Sequence, residues 1–371
     1  MSPLFNQEQT TFILSMLSNI GAPLTGTVQE IEQALAADLD TQLQALVPAI
    51  GPWQIVWGPA VYQAPRSNHA DNVMFVARSA ATPPQFIVSI AGTNPSSAFD
   101  WLIEDFFVGA QVPWAYGNPP LGSRPKIAAG TFVGLTILQH LMPGPGLPGV
   151  GLRLQDFLAT GIDRSLNVTI TGHSLGGALS PTFGLWLFDT QTTWDPHAQA
   201  TIFCQPSAGP TPGNGDFSAY YTQSALGSRT TRIDNSLDIV PKAWNDTTLS
   251  QIPMCYAPAI LPDALVNFLV SWARDAAQGG DYTPINPTTS PLDGTINTTI
   301  IDPSATAFAN FLAQAGYQHV HAYMILLGIT PSAPVLKVVQ AMLPPAGVVG
   351  VAENLQRKLE RRQAMAAAVH R

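Results

Sequence analysis

The sequence predicts an α/β chain, with a mostly parallel central sheet and helices on both faces. Three observations point there. Short β-branched runs recur along the chain, and Asn167-Val-Thr-Ile-Thr-Gly172 is apolar enough for a strand buried on both sides. Helical stretches separate the strands, as parallel crossovers require. The 371 residues are 46% hydrophobic and 11% charged, enough apolar material for a sizeable core.

Residues 1–50 read as helical, because Asn6 to Asn19 and Val28 to Val47 carry apolar residues at helical spacing. Trp53 to Trp57, Asn72 to Arg78 and Gln85 to Ala91 follow as short strands bounded by Pro, Gly and Asn. Lys126 to Leu141 reads as a helix stopped by the Pro/Gly run at 143–149, and Leu152 to Ala159 as another. After the strand at 167–172, Leu175 to Phe188 is an apolar helix rich in Gly and Ala. Ala200 to Gln205 and Thr230 to Asp234 are further strands. From Trp244 to Gln318, Pro, Thr, Asn and Asp surround one apolar helix, Pro262 to Ala277. Ala305 to Ala315 and Val320 to Leu327 are closing helices. The expected organisation is a helical segment over 1–50 packing on an α/β domain over 51–345. An insertion at about 244–318 lies on the sheet's rim, and a charged, then Ala-rich, helical tail spans 346–371.

A net charge of −8 without a basic stripe argues against nucleic acid as a partner, since phosphate binding needs Lys and Arg. No run of 18 apolar residues is present, so no membrane span is expected. The N-terminus shows neither a basic n-region nor a continuous apolar h-region, so no signal peptide is read and the compartment stays open. The two cysteines, Cys204 and Cys255, set no disulfide framework; they read as buried free thiols, with a single bridge as the alternative in an oxidising compartment.

The segment Thr171-Gly172-His173-Ser174-Leu175-Gly176-Gly177 fits Gly-x-Ser-x-Gly, with a predicted strand before it and a predicted helix after. A serine on a tight strand-to-helix turn needs small neighbours at minus two and plus two, and the helix start offers free N–H groups to an oxyanion. The segment resembles the nucleophile turn of an α/β-hydrolase fold, in which Ser174 would be the nucleophile and the Leu175 N–H an oxyanion donor. A serine also needs a base, and the base an orienting acid, which in this fold follow in chain order. His197 lies in a polar turn too soon after the serine, and His370 in the tail. His319 and His321 remain; Gly316 is expected to break the preceding helix, which leaves His319 on a loop and His321 inside the next helix. The loop position favours His319. For the acid, Asp234 would end a strand, whereas Asp238 lies in the loop beyond and is favoured.

A second oxyanion donor is expected after an earlier strand, where Ala91-Gly92-Thr93-Asn94 places Thr93 behind a permissive glycine. Residues 95–107 then put Phe99, Trp101, Leu102, Phe106 and Phe107 on a short helix, too apolar for a solvated one. Either this is core, or it is an amphipathic lid whose Phe99 and Trp101 meet the substrate.

Ala-Gly-Thr-Asn followed by Asp-Trp, the turn Gly-His-Ser-Leu-Gly-Gly, and Asn-Ser-Leu-Asp-Ile-Val-Pro together resemble the class 3 (fungal-type) triacylglycerol lipase family, over roughly residues 70–330. The resemblance implies a serine esterase acting on acylglycerols at an oil–water interface. Ser174 would be its nucleophile, Asp238 its acid, and Thr93 with Leu175 its oxyanion residues. Glu104 or Asp105 would brace the oxyanion hydroxyl. No cofactor or metal is expected, because the sequence has no His/Cys cluster and no Gly-x-Gly-x-x-Gly after a strand. A phospholipase, a short-chain esterase or an acyltransferase would keep the same machinery. A non-catalytic lipid-binding protein would need a broken triad.

Overall fold

The computed structural model describes residues 3–92, 108–160, 166–286 and 290–329. Thr93, Phe99, Trp101, the lid expected at 95–107 and the tail expected at 346–371 therefore lie outside the described residues.

Two helices open the chain. Helix α1 (Gln7–Leu17) begins at Asn6, whose side chain accepts the Gln9 N–H while Gln9 reaches back to the Asn6 N–H. Helix α2 (Val28–Ile50) begins with the same reciprocal cap between Thr27 and Glu30. Its Ile31, Leu35, Leu39, Leu43, Leu46 and Ile50 recur every three or four residues and form one buried stripe.

The main sheet has five strands, in the order β1 (Trp53–Tyr62), β2 (Asn72–Ser79), β3 (Gln85–Ile90), β6 (Leu166–His173) and β7 (Ala200–Ser207). The sheet is mixed: β1–β2 and β2–β3 are antiparallel, and β3–β6 and β6–β7 are parallel. The short links after β1 and β2 permit hairpin-like reversal, whereas the helices before β6 and β7 provide crossovers. The short strands β4 (Gln111–Pro113) and β5 (Lys126–Ala128) pair separately.

Helices cover both faces. One apolar cluster joins α1 and α2 to Phe75, Ile87, Tyr323 and Met324. On the other face, α3 (Ala129–His140), α4 (Leu154–Thr160) and α5 (Leu175–Asp189) enclose Met74, Val88, Val168 and Ile170. A third cluster lies in the 244–318 stretch, where α7 (Ala264–Ala277) and α8 (Ala307–His319) pack around Trp244, Tyr256 and Phe308, after α6 (Gly215–Gln223). A last short helix, α9, spans His321–Leu326. Among the described residues no helix is long and apolar enough to cross a membrane.

Three local expectations are corrected. Lys126 to Ala128 is strand, and the helix starts at Ala129. Thr230 to Asp234 forms only isolated parallel bridges to β7, at Cys204–Thr230 and Ser207–Ile233. Pro206 lies between those bridges and has no N–H to continue the ladder. The helix before His319 does not stop at Gly316: α8 runs through it and ends on His319 itself. A Cβ on Gly316 would meet nothing within 4 Å, so the glycine sits on an open face. Its cost of about 1 kcal/mol relative to Ala is offset by burial of Phe308, Phe311, Leu312 and Ala315 on the other face.

Candidate active site

The C-terminal ends of the parallel strands β3, β6 and β7 converge on one edge, the usual place for a site in an α/β sheet. Strand β6 ends at His173 and α5 begins at Leu175, so the whole reversal falls on Ser174. Its backbone sits at φ 62° and ψ −124°, in the left-handed half of conformational space that a non-glycine residue seldom adopts. The Ser174 N–H donates to the Ser207 carbonyl at 3.1 Å, and the Ser174 carbonyl accepts from the Gly177 N–H at 2.8 Å. The flanking glycines are steric necessities. A Cβ on Gly172 would fall on the Gly176 backbone, and one on Gly176 would fall on the Ile90 carbonyl. Leu175 opens α5, so its N–H belongs to the helix's free N-terminal donors.

The end of β3 reaches the same turn. A Cβ on Gly92 would lie 2.8 Å from the His173 carbonyl and 3.2 Å from Ser174 Cβ. The Gly92 N–H donates to Asn19 Oδ1 at 2.8 Å, which ties this strand end to the segment after α1. Thr93, the next residue, is outside the described residues.

Asp238 is fully buried. Its Oδ1 accepts the Val240 N–H at 3.0 Å. Its Oδ2 accepts from His319 Nδ1 at 2.9 Å and from the Tyr323 hydroxyl at 2.9 Å. A carboxylate oxygen can only accept, so His319 carries a proton on Nδ1 and donates it to Asp238. The Tyr323 hydroxyl accepts in turn from the Asn235 N–H at 3.0 Å. Burial, and then the neighbouring carboxylates of Asp238 and Asp234, push the Tyr323 phenol well above its usual range, so it stays a donor.

The alternatives sit elsewhere. Asp234 is ion-paired with Arg232, and its Oδ1 is buried without a partner. Burial is the main cause that pushes its carboxyl up to about 6, against the attraction of Arg232 and with the repulsion of Asp238. His321 opens α9 and stacks on Tyr317, with ring centroids 5.9 Å apart and planes 17° apart. Burial lowers its pKa.

The structure therefore pairs Asp238 with His319 and sets His319 against His173, the residue before Ser174, whereas Asp234 and His321 are engaged elsewhere. His173, which directly precedes Ser174, places its ring 4.9 Å from that of His319 and so connects the serine turn to the Asp238–His319 pair. Sequence reasoning gave no role to Asn19, Phe12, Tyr323 or the side chain of His173. The four-residue spacing from His319 to Tyr323 was a usable signal, because such residues share a helical face. Nothing in the sequence pointed to Asn19.

Cys204 and Cys255 are both free. Burial raises their thiols to about 12 and about 11, so neither is a ready nucleophile. Among the described residues no group of three His, Cys, Asp or Glu side chains is arranged to hold a metal.

A strained serine turn at the end of a central parallel strand, beside a buried acid–histidine pair, defines a serine hydrolase of the α/β-hydrolase type. Residues 153–247 match the family described as Lipase (class 3). The crystal structure of M37 lipase is 32% identical over 95% of this chain and 100% of that one, with a TM-score of 0.82. The chain belongs to the class 3 lipase family. More remote likenesses include lipase II from Rhizopus niveus, at 19% identity, 65% of this chain, 76% of that one and a TM-score of 0.43. A lipase from Rhizopus microsporus var. chinensis stands at 18%, 64%, 70% and 0.41. No curated protein sequence matches significantly.

Proposed function

We propose that this chain is a triacylglycerol lipase that works through an acyl-enzyme on Ser174, with His319 as base and Asp238 as its orienting acid. The observation that carries the reading is the Asp238–His319 bond of 2.9 Å, set beside a serine held at φ 62°. In this reading His319 Nε2 takes the Ser174 Oγ proton as Oγ attacks the ester carbonyl carbon. Asp238 holds the Nδ1–H and stabilises the imidazolium. The carbonyl oxygen becomes an oxyanion facing the Leu175 N–H, with Thr93 assigned from sequence as the second donor; each donor is worth about 10²–10³ in rate. The protonated His319 then gives its proton to the leaving alcohol, and water, deprotonated by the same histidine, releases the fatty acid. Phe99 and Trp101 are assigned from sequence to the lid and the acyl chain, with the substrate met at an oil–water interface.

The test compares hydrolysis of a tributyrin and a triolein emulsion with a p-nitrophenyl ester series of rising chain length. Ser174→Ala is expected to lower kcat by at least about 10⁴-fold on all of them. Undiminished activity in that variant overturns the nucleophile assignment. Turnover of phospholipid vesicles or short esters without turnover of either emulsion overturns the substrate assignment and leaves the triad standing.

A further inference from the structure

We infer that His173 is a positioning residue for acyl transfer, fastening the main chain of the base residue to the nucleophile's own turn, an assignment that rests on the reading of Ser174 and His319 given above. His173 occupies the variable position of Gly-x-Ser-x-Gly, where the turn itself asks only for a backbone. Its side chain is nevertheless completely buried and bonded at both ring nitrogens. Nε2 lies 2.8 Å from the His319 carbonyl, and Nδ1 lies 3.1 Å from Ser207 Oγ. A carbonyl only accepts, so Nε2 carries a proton and donates it to His319. Burial, reinforced by the nearby His319, holds the His173 imidazole well below the usual histidine range. The ring is therefore neutral and its Nδ1 can only accept, so the single Ser207 hydroxyl proton is shared between His173 Nδ1 at 3.1 Å and the Gly172 carbonyl at 3.3 Å.

The bond to His319 fills a specific need. His319 is the last residue of α8, so its carbonyl has no partner further along that helix. The His173 N–H supplies one. The base is thus held at both ends, its ring by Asp238 and its main chain by His173. Ser207 closes the frame, because its carbonyl accepts the Ser174 N–H at 3.1 Å while its hydroxyl holds His173. Phe12 and Tyr323 stand edge-on to the His173 ring, at centroid distances of 5.9 and 5.4 Å, and fix its rotation. Serine, base and β7 are in this way coupled through one neutral imidazole that touches no reacting atom.

The experiment uses the full chain and four variants: His173→Leu, His173→Gln, Ser207→Ala and His319→Ala. For each, kcat and KM on p-nitrophenyl butyrate, the rate of Ser174 labelling by a p-nitrophenyl phosphonate, and Tm are measured. His173→Leu removes the donor and is expected to lower kcat and the labelling rate together by about 10–100-fold, with KM nearly unchanged, as misplacement of a catalytic group does. His173→Gln keeps an N–H donor and is expected to recover most of both. Ser207→Ala is the milder probe should His173→Leu not fold, with an expected loss of about two- to tenfold, the worth of one hydrogen bond. A folded His173→Leu with wild-type kcat and labelling rate overturns the inference, as does a His173→Gln no better than His173→Leu. If His173→Leu does not fold, wild-type rates in Ser207→Ala overturn it. His319→Ala separates the two levels: if that variant stays active, the underlying triad reading fails instead.

Discussion

Tyr323→Phe is a sharp probe of the acid's environment, because it deletes one oxygen and keeps the ring. That oxygen makes two buried bonds, donating to Asp238 Oδ2 at 2.9 Å and accepting the Asn235 N–H at 3.0 Å. A bond to a charged group is worth about 1.5–3 kcal/mol, and a buried N–H left without a partner costs about 1–3 kcal/mol. The two overlap, since one hydroxyl serves both, so a loss of about 2–4 kcal/mol follows. For a chain of this size, at the low end of about 2–4 °C per kcal/mol, Tm should fall by about 4–8 °C. The activity loss should be smaller. Asp238 keeps the Val240 N–H on Oδ1 and His319 on Oδ2. A drop in kcat of about three- to tenfold, or roughly 0.7–1.4 kcal/mol, is expected. Thermal unfolding followed by circular dichroism, with kcat on p-nitrophenyl butyrate, reads both. A variant with unchanged Tm and unchanged kcat would refute the assignment of that hydroxyl to the carboxylate.

Three further outcomes are expected. His319→Ala should lower kcat by about 10³-fold or more, whereas His321→Ala, which removes only a stacking partner of Tyr317, should leave kcat within about twofold because it touches no triad group; comparable losses in the two would undo the choice between them. Asp234 titrates near about 6 in the folded protein and near its ordinary 3.8 when unfolded. The native state therefore binds the proton more tightly, and Asp234 opposes folding increasingly as pH rises from about 4 to 6, by about 3 kcal/mol in all. Asp234→Asn should flatten that part of the stability-versus-pH curve in urea titrations; an unaltered slope would count against it. Finally, buried Glu32 accepts the Val61 and Gly144 N–H groups, each at 3.1 Å, joining α2 to β1 and to the Pro/Gly loop. Glu32→Gln turns one acceptor into a donor facing an N–H, so a loss of about 1–3 kcal/mol should appear as a lower Tm without a change in kcat.

Much of the fold was legible because its signals are local. The apolar spacing of α1 and α2 and the β-branched run of β6 depend on residues close in sequence. The serine turn was equally legible, since two glycines at fixed offsets report the crowding around Ser174 directly. The errors came where tertiary contacts override local preference. Gly316 carries a real local penalty, yet the buried face of α8 carries the helix past it. The run at 230–234 has strand composition, but its ladder to β7 is interrupted by the missing N–H of Pro206, a partner distant in sequence.

By itself, then, the sequence determined the class of fold, the tight serine turn at Ser174 and a short field of candidates for acid and base. Only the tertiary structure gives those candidates different surroundings, because their partners depend on distance. Asp238 faces His319 at 2.9 Å, Asp234 is taken by Arg232, and His321 lies on Tyr317. Tertiary structure alone also placed the first helix and the segment after it against the serine turn, with Phe12 against His173 and Asn19 on Gly92. Those contacts join residues far apart along the chain, and no local pattern of charge or hydrophobicity encodes which side chains folding will bring together.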